Sequence, residues 1–215
     1  MKSLNISKRT QFAVLGLGKF GSSVASTLFS NGYDVMCCDL SEAQVHEAAS
    51  FCTHAVQADV TDKAAMENIG LGNFDVVIVA LSEDFENALI AVMIAKELGV
   101  PFIVAKANGP RQKVILESIG VDRVILPEVE MGERVALSLI SNNLMEYIHL
   151  SDEYDILEMR PKPEWVGKSL QKLRLRQTES LNIIAIIRNN KVMAVLDPST
   201  ELMEQDLLIV LKQRT

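Results

Sequence analysis

Six short apolar runs, rich in valine and isoleucine and separated by amphipathic stretches, fill the first 142 residues and restrict what this chain can become. They lie at Phe12–Gly16, Asp34–Asp39, His54–Ala58, Val76–Ala80, Phe102–Ala105 and Val124–Leu126. The runs are continuous rather than alternating, as strands buried on both faces of a parallel sheet must be. Helical spacing follows at Lys19–Ser30, Ser41–Ser50, Asp62–Ile69, Glu83–Leu98, Pro110–Ser118 and Glu128–Asn142. Strand–helix–strand repetition predicts an α/β fold built on a doubly wound parallel sheet.

Local chemistry marks the boundaries. Ser41, followed by Glu42 and Gln44, predicts a helix start in which the hydroxyl takes an orphan N–H. Asn31-Gly32 and Leu98-Gly99 put glycine at helix ends, where a left-handed residue costs least. After Asn143 the pattern changes to short alternating runs at Tyr154–Arg160, Asn182–Arg188, Lys191–Val195 and Asp206–Lys212. A helix is expected at Lys168–Leu175, and Asn189-Asn190 and Asp197-Pro198 are turn signals. The expected organisation is a first domain over residues 1–142, a linker over 143–150, and a small α+β domain over 151–215.

Between the first run and the first helix stands QFAVLGLGKFG, whose tail fits G-x-G-x-x-G. The pattern alone is weak, but a strand precedes it, a helix follows, and Asp39 ends the second strand about 20 residues on. In that setting Gly16 permits the turn, Gly18 lets the backbone approach a pyrophosphate, and Gly21 lets the helix lie close to the sheet. The helix N-terminus offers free N–H groups to the anion, and Asp39 can accept from ribose hydroxyls. A Rossmann-like nucleotide site is the reading. By position at strand ends, its further candidates are Lys19, Phe20, Leu40, Asp59, Val60, Thr61, Ala80, Leu81, Ser82, Lys106 and Glu128. Lys19 opposes the dipole of its own helix, a balance that an anionic ligand would reverse. A solvated lysine accounts for it equally well.

Other classes are disfavoured. A net charge of −7 argues against a nucleic-acid partner, and the local basic set Lys168, Lys172, Arg174 and Arg176 reads as a solvated helix face. Cys37, Cys38 and Cys52 lack C-x-x-C spacing, and one of the first two is expected to pack inward as a small hydrophobe. His46, His54 and His149 have no obvious nucleophile or carboxylate partner, and no Walker-type loop is present. Catalysis is therefore not expected, although a small NAD-dependent oxidoreductase or redox sensor is the competing class. No apolar run reaches the ~18–20 residues of a membrane span, and the first ten residues lack the apolar stretch of a signal peptide. A cytoplasmic chain is expected. In residues 128–148, Val135, Leu139, Ile140 and Leu144 make an apolar face, which fits docking on a second subunit or on the chain's own sheet.

With these residues in view, the chain resembles the RCK family, regulators of potassium conductance, of the KtrA/TrkA type. The carriers are QFAVLGLGKFG, VMCCD, THAVQADVTD, FDVVIVAL, VAKAN, GVDRVILPEVEMGERVA and LSDEYDILE. The resemblance implies an RCK_N domain with a crossover helix, an RCK_C domain, and dimers assembling into an octameric ring. That ring would sit on the cytoplasmic side of a KtrB/TrkH-type potassium-translocating membrane subunit. It implies ATP or ADP on the glycine loop, NAD(H) in many members, Asp39 at the ribose and residues 59–61 near adenine. Lys19 matches a position usually held by Arg that reaches the terminal phosphate, and Glu128 matches an acid that helps hold Mg2+ or another divalent cation. Lysine keeps that charge but not the bidentate fork. Some KtrA-like RCK_C domains also take cyclic di-AMP; the corresponding stretch is 170–187, with Arg174 where those proteins tend to have Asn.

Overall fold

The computed structural model describes residues 6–81, 84–140, 144–151 and 153–213. It divides into two compact units, Met1–Val129 and Glu130–Thr215.

The first unit is a six-stranded parallel sheet in the order β3-β2-β1-β4-β5-β6. The strands are β1 (Gln11–Leu15), β2 (Asp34–Asp39), β3 (His54–Gln57), β4 (Val76–Val79), β5 (Phe102–Lys106) and β6 (Arg123–Ile125). Between them run α1 (Lys19–Ser30), α2 (Glu42–Ala48), α3 (Lys63–Asn68), α4 (Phe85–Glu97) and α5 (Pro110–Ser118); α6 (Pro127–Ile140) follows β6 and runs across the boundary between the units. The order reverses beside β1, where neighbours β2 and β4 leave in opposite directions, and ligands of open α/β sheets bind at such a point.

Alternate residues of each strand feed two separate cores. Ala13, Leu15, Met36, Cys38, Val77, Val79 and Ile103 pack into one. Phe12, Val14, Val35, Cys37, Val76, Ile78 and Phe102 pack into the other. Continuous apolar runs are therefore needed, because both faces are covered. Cys37 and Cys38 are both fully buried, on opposite faces, rather than one inward and one not.

Three other expectations change. Ser41 precedes α2, but its hydroxyl makes no cap bond; its own N–H donates instead to Asp39 Oδ1 at 2.8 Å. The stretch 143–150, expected as a linker, holds strand β7 (Leu144–His149), which pairs antiparallel with β8 (Tyr154–Met159). The helix expected at 168–175 is two short turns, α7 (Leu170–Leu173) and α8 (Leu175–Thr178), split at Arg174, whose φ of 48° lies in the left-handed region. An α-helix cannot continue through that conformation.

In the second unit β7 and β8 join β9 (Leu181–Arg188), β10 (Lys191–Met193) and β11 (Leu207–Gln213) in an antiparallel sheet, order β10-β9-β11-β8-β7. Its core holds Met159, Trp165, Leu175, Leu181, Ile186, Leu202, Leu208 and Val210. Among the described residues, no helix is long and apolar enough to cross a membrane.

Candidate nucleotide site

The turn after β1 is stitched to the ends of β2 and β4. Gly16 sits at φ +94° and its N–H donates to Cys38 O at 2.8 Å. A β-carbon there would come within 2.9 Å of Leu81 Cδ2 and 3.2 Å of the Ala80 carbonyl carbon, so both the dihedral and the space require glycine. One on Gly21 would overlap the Gly16 carbonyl oxygen and lie 3.2 Å from Ala80 Cβ. The first turn of α1 thus rests on the loop and on the end of β4, where the Ala80 N–H donates to Leu15 O at 2.7 Å.

Gly18 behaves in the opposite way. A β-carbon there would meet nothing within 4 Å, and the residue is exposed. It is the N-cap of α1, a helix of 12 residues with no side-chain cap and no acid in its first turn. Such an end keeps donors and partial positive charge available to an anion. The approach to Gly18 is open, and the exposed Lys19 adds positive charge beside it. The loop fits a pyrophosphate.

Asp39 ends β2 with both oxygens engaged by backbone: Oδ2 accepts from Leu17 N–H at 2.6 Å and Oδ1 from Ser41 N–H at 2.8 Å. Each carboxylate oxygen retains a lone-pair site for a ribose hydroxyl. Leu40 follows, largely exposed, and Gln57 Nε2 donates to its carbonyl at 3.1 Å. Beyond β3, Asp59 Oδ1 accepts from both the amide and the hydroxyl of Thr61, at 2.9 and 2.7 Å. Those bonds hold its carboxyl below the usual range. Val60 is turned into the core, which leaves its backbone rather than its side chain for a base.

At the other side of the switch point, Lys106 closes β5 with only 5% of its side chain exposed. Its Nζ donates to Glu128 Oε1 at 2.6 Å and lies 6.0 Å from the Phe20 ring centroid. The Lys106 hydrogen bond holds the Glu128 carboxyl below its ordinary value. Glu128, in the first turn of α6, is 63% exposed. Among the described residues, no three of His, Cys, Asp and Glu cluster as a metal cage. A divalent cation at Glu128 would fit only with further oxygens from phosphate and water, as magnesium commonly does beside nucleotides.

The structure thus brings Gly16, Gly21, Ala80 and Leu81 together, ties Asp39 to the turn, and joins Phe20, Lys106 and Glu128. Ser82 lies outside the described residues. The Leu17 amide and Gln57 were not anticipated. For Gln57 the only sequence signal is its place at the end of β3, opposite Asp39 in the sheet register. Burial raises all three thiols, Cys38 to about 11, which keeps them protonated and poorly nucleophilic at neutral pH.

Comparison with known proteins agrees with this fold. Residues 12–127 match the TrkA-N domain and residues 156–213 the TrkA-C domain. The chain is 39% identical over 205 residues to Ktr system potassium uptake protein C of Bacillus subtilis (strain 168), spanning 94% of this chain and 92% of that one. It is 37% identical over 204 residues to Ktr system potassium uptake protein A of the same organism, spanning 95% and 92%. Among solved structures, the GsuK channel bound to NAD superposes with a TM-score of 0.67 at 18% identity, covering 98% of this chain and 38% of that one. At that identity the likeness concerns the fold.

Proposed function

Because the chain belongs to the family that joins a TrkA-N domain to a TrkA-C domain, we propose that it is the nucleotide-sensing subunit of a potassium uptake system and performs no chemistry on its ligand. The observation that supports this reading is the uncapped start of α1 at an open Gly18, next to Lys19 in the chain, with Lys106 Nζ 6.0 Å from the ring of first-turn Phe20. A site of this kind is suited to gripping phosphates. The relatives named as Ktr system potassium uptake proteins supply the biological setting.

In this reading, residues 1–142 bind ATP or ADP, with NAD(H) as a further ligand, and residues 151–215 form the second domain. The phosphates lie on Gly16, Gly18 and Gly21, the ribose on Asp39, and the adenine near residues 59–61. The γ-phosphate, met by Lys19 and by a divalent cation at Glu128, is the chemical difference between the two nucleotides. It biases the chain between two arrangements in a ring of copies, since a ligand shifts an equilibrium only by its differential affinity. That ring acts on a membrane subunit that carries the ion path, which places this chain on the cytoplasmic face. Cyclic di-AMP at residues 170–187 is a second regulatory input.

The test is titration of the purified chain with ATP, ADP and NADH, with sizing by light scattering, for wild type and Lys19→Ala. ATP and ADP should both bind, the assembly should be ring-sized, and Lys19→Ala should bring the two affinities together. Nicotinamide turnover by a small assembly would replace this reading with an oxidoreductase.

A further inference from the structure

Leu17, between the first two glycines of the turn, is held through both of its backbone polar groups. Its N–H donates to Asp39 Oδ2 at 2.6 Å, and its carbonyl accepts from the Ser22 hydroxyl at 2.8 Å. We propose that Ser22 is a positioning residue of the phosphate loop: by fixing the Leu17 carbonyl, it aims the Gly18 N–H at an incoming phosphate. The inference rests on the nucleotide reading above and deepens it.

A trans peptide unit is planar, so its C=O and its N–H point in opposite directions. In the unit that joins Gly16 to Leu17, the carbonyl stands against Gly21, where a β-carbon would overlap it, and the N–H turns to Asp39. In the next unit, which joins Leu17 to Gly18, the carbonyl turns to Ser22. The Gly18 N–H must then point away from that side chain. Gly18 is exposed, and a β-carbon on it would meet nothing within 4 Å. Ser22 thus sets the direction of a donor that it does not itself supply.

Loss of that bond would free the second unit to turn. The Leu17 carbonyl precedes the helical ladder of α1, in which the Ser22 N–H donates to Gly18 O at 2.9 Å. Glycine at 18 offers no β-carbon to resist a peptide rotation. A flip would bring the Leu17 carbonyl, with its partial negative charge, to face the phosphate in place of a donor. Ser22 opposes this from one position, with its N–H on Gly18 O and its hydroxyl on Leu17 O. A serine hydroxyl has a single proton, and this one is committed to Leu17. None is left to donate to a phosphate, so the role of the half-buried Ser22 is orientation rather than contact.

The test uses the full chain, titrated with ATP, inorganic triphosphate and adenosine. Ser22→Ala should bind ATP and triphosphate about five- to tenfold more weakly than wild type, as the loss of one oriented hydrogen bond implies. Adenosine, which has no phosphate, should bind as to wild type. Ser22→Thr keeps the hydroxyl and should restore triphosphate binding. Should Ser22→Ala not fold, Ser22→Cys decides by the same measurements, since a thiol is only a weak donor. Unchanged triphosphate affinity in the variant overturns the proposal. So does an equal loss for adenosine and triphosphate, because a merely structural role would weaken both, and so does Ser22→Thr as weak as Ser22→Ala. These outcomes leave the functional reading standing, whereas wild type that binds neither ATP nor triphosphate overturns that reading and this inference with it.

Discussion

Gly21 lies so close to Gly16 that a β-carbon on the first would overlap the carbonyl oxygen of the second. The contact is backbone against backbone, so neither side can rotate away. Gly21→Ala should therefore cost about 1–3 kcal/mol or more in urea unfolding and weaken nucleotide binding along with it. Gly18→Ala is the contrast, since its β-carbon meets nothing within 4 Å. Its stability should change by no more than about 1 kcal/mol, the range of an N-cap exchange, while on the proposed function ATP affinity should fall, because the methyl would stand where that reading puts the phosphates. Equal stability losses in the two variants would contradict the division of labour within the loop.

Arg174 holds a left-handed backbone between α7 and α8 with no glycine to ease it. Replacing it by Gly or Asn should stabilise the chain by about 0.5–1 kcal/mol, because the native dihedral then loses much of its strain. Thermal unfolding of Arg174→Gly and Arg174→Asn checks this. A fall in the midpoint for both would show that the Arg side chain contributes more than its backbone costs.

Asp206 is fully buried and receives three donors: Arg188 Nε at 2.6 Å, an Arg188 terminal nitrogen at 2.7 Å and the Met203 amide at 2.8 Å. Asp206→Ala leaves the guanidinium with the Glu201 carbonyl but no counter-charge, and takes the acceptor from the Met203 amide, at a cost of about 3–5 kcal/mol. The double variant Arg188→Met/Asp206→Leu should recover much of it. Denaturant unfolding of the three proteins measures the difference, and a double variant no better than Asp206→Ala would show that packing, not charge, dominates there.

Glu128 titrates below its ordinary value of 4.5 because Lys106 donates to it. A carboxylate whose folded pKa is depressed contributes stability above its unfolded pKa and loses it as pH falls through the folded one. Acid should thus weaken wild type progressively below about pH 4.5, and Glu128→Gln should lack that part of the dependence. The effect is modest, since the carboxylate is mostly exposed. Unfolding midpoints of both proteins between neutrality and acid check it, and parallel curves would refute it.

Much of the first unit can be read from the chain alone. The bounds expected for α1, β2 and α5 coincide with the structure, because a strand buried on both faces needs unbroken apolar residues and glycine or proline punctuates those two helices. The glycine loop is legible for the same reason: its demands on space and dihedral angle are local. The second unit is less so. Arg174 carries no sign of a left-handed turn, and β7, which lies in the stretch expected as a linker, pairs with β8.

What the sequence determines by itself is therefore the alternation of elements, the parallel sheet and the turn that can receive a phosphate, each set within a window of a few residues. Tertiary structure alone decides that the Leu17 amide binds Asp39, 22 positions away, and that Lys106 meets Glu128, also 22 positions away. Those pairings depend on which strand ends become neighbours in the sheet. Hydrophobic period sets the face of a strand, but only the assembled order of strands sets whose end lies beside whose.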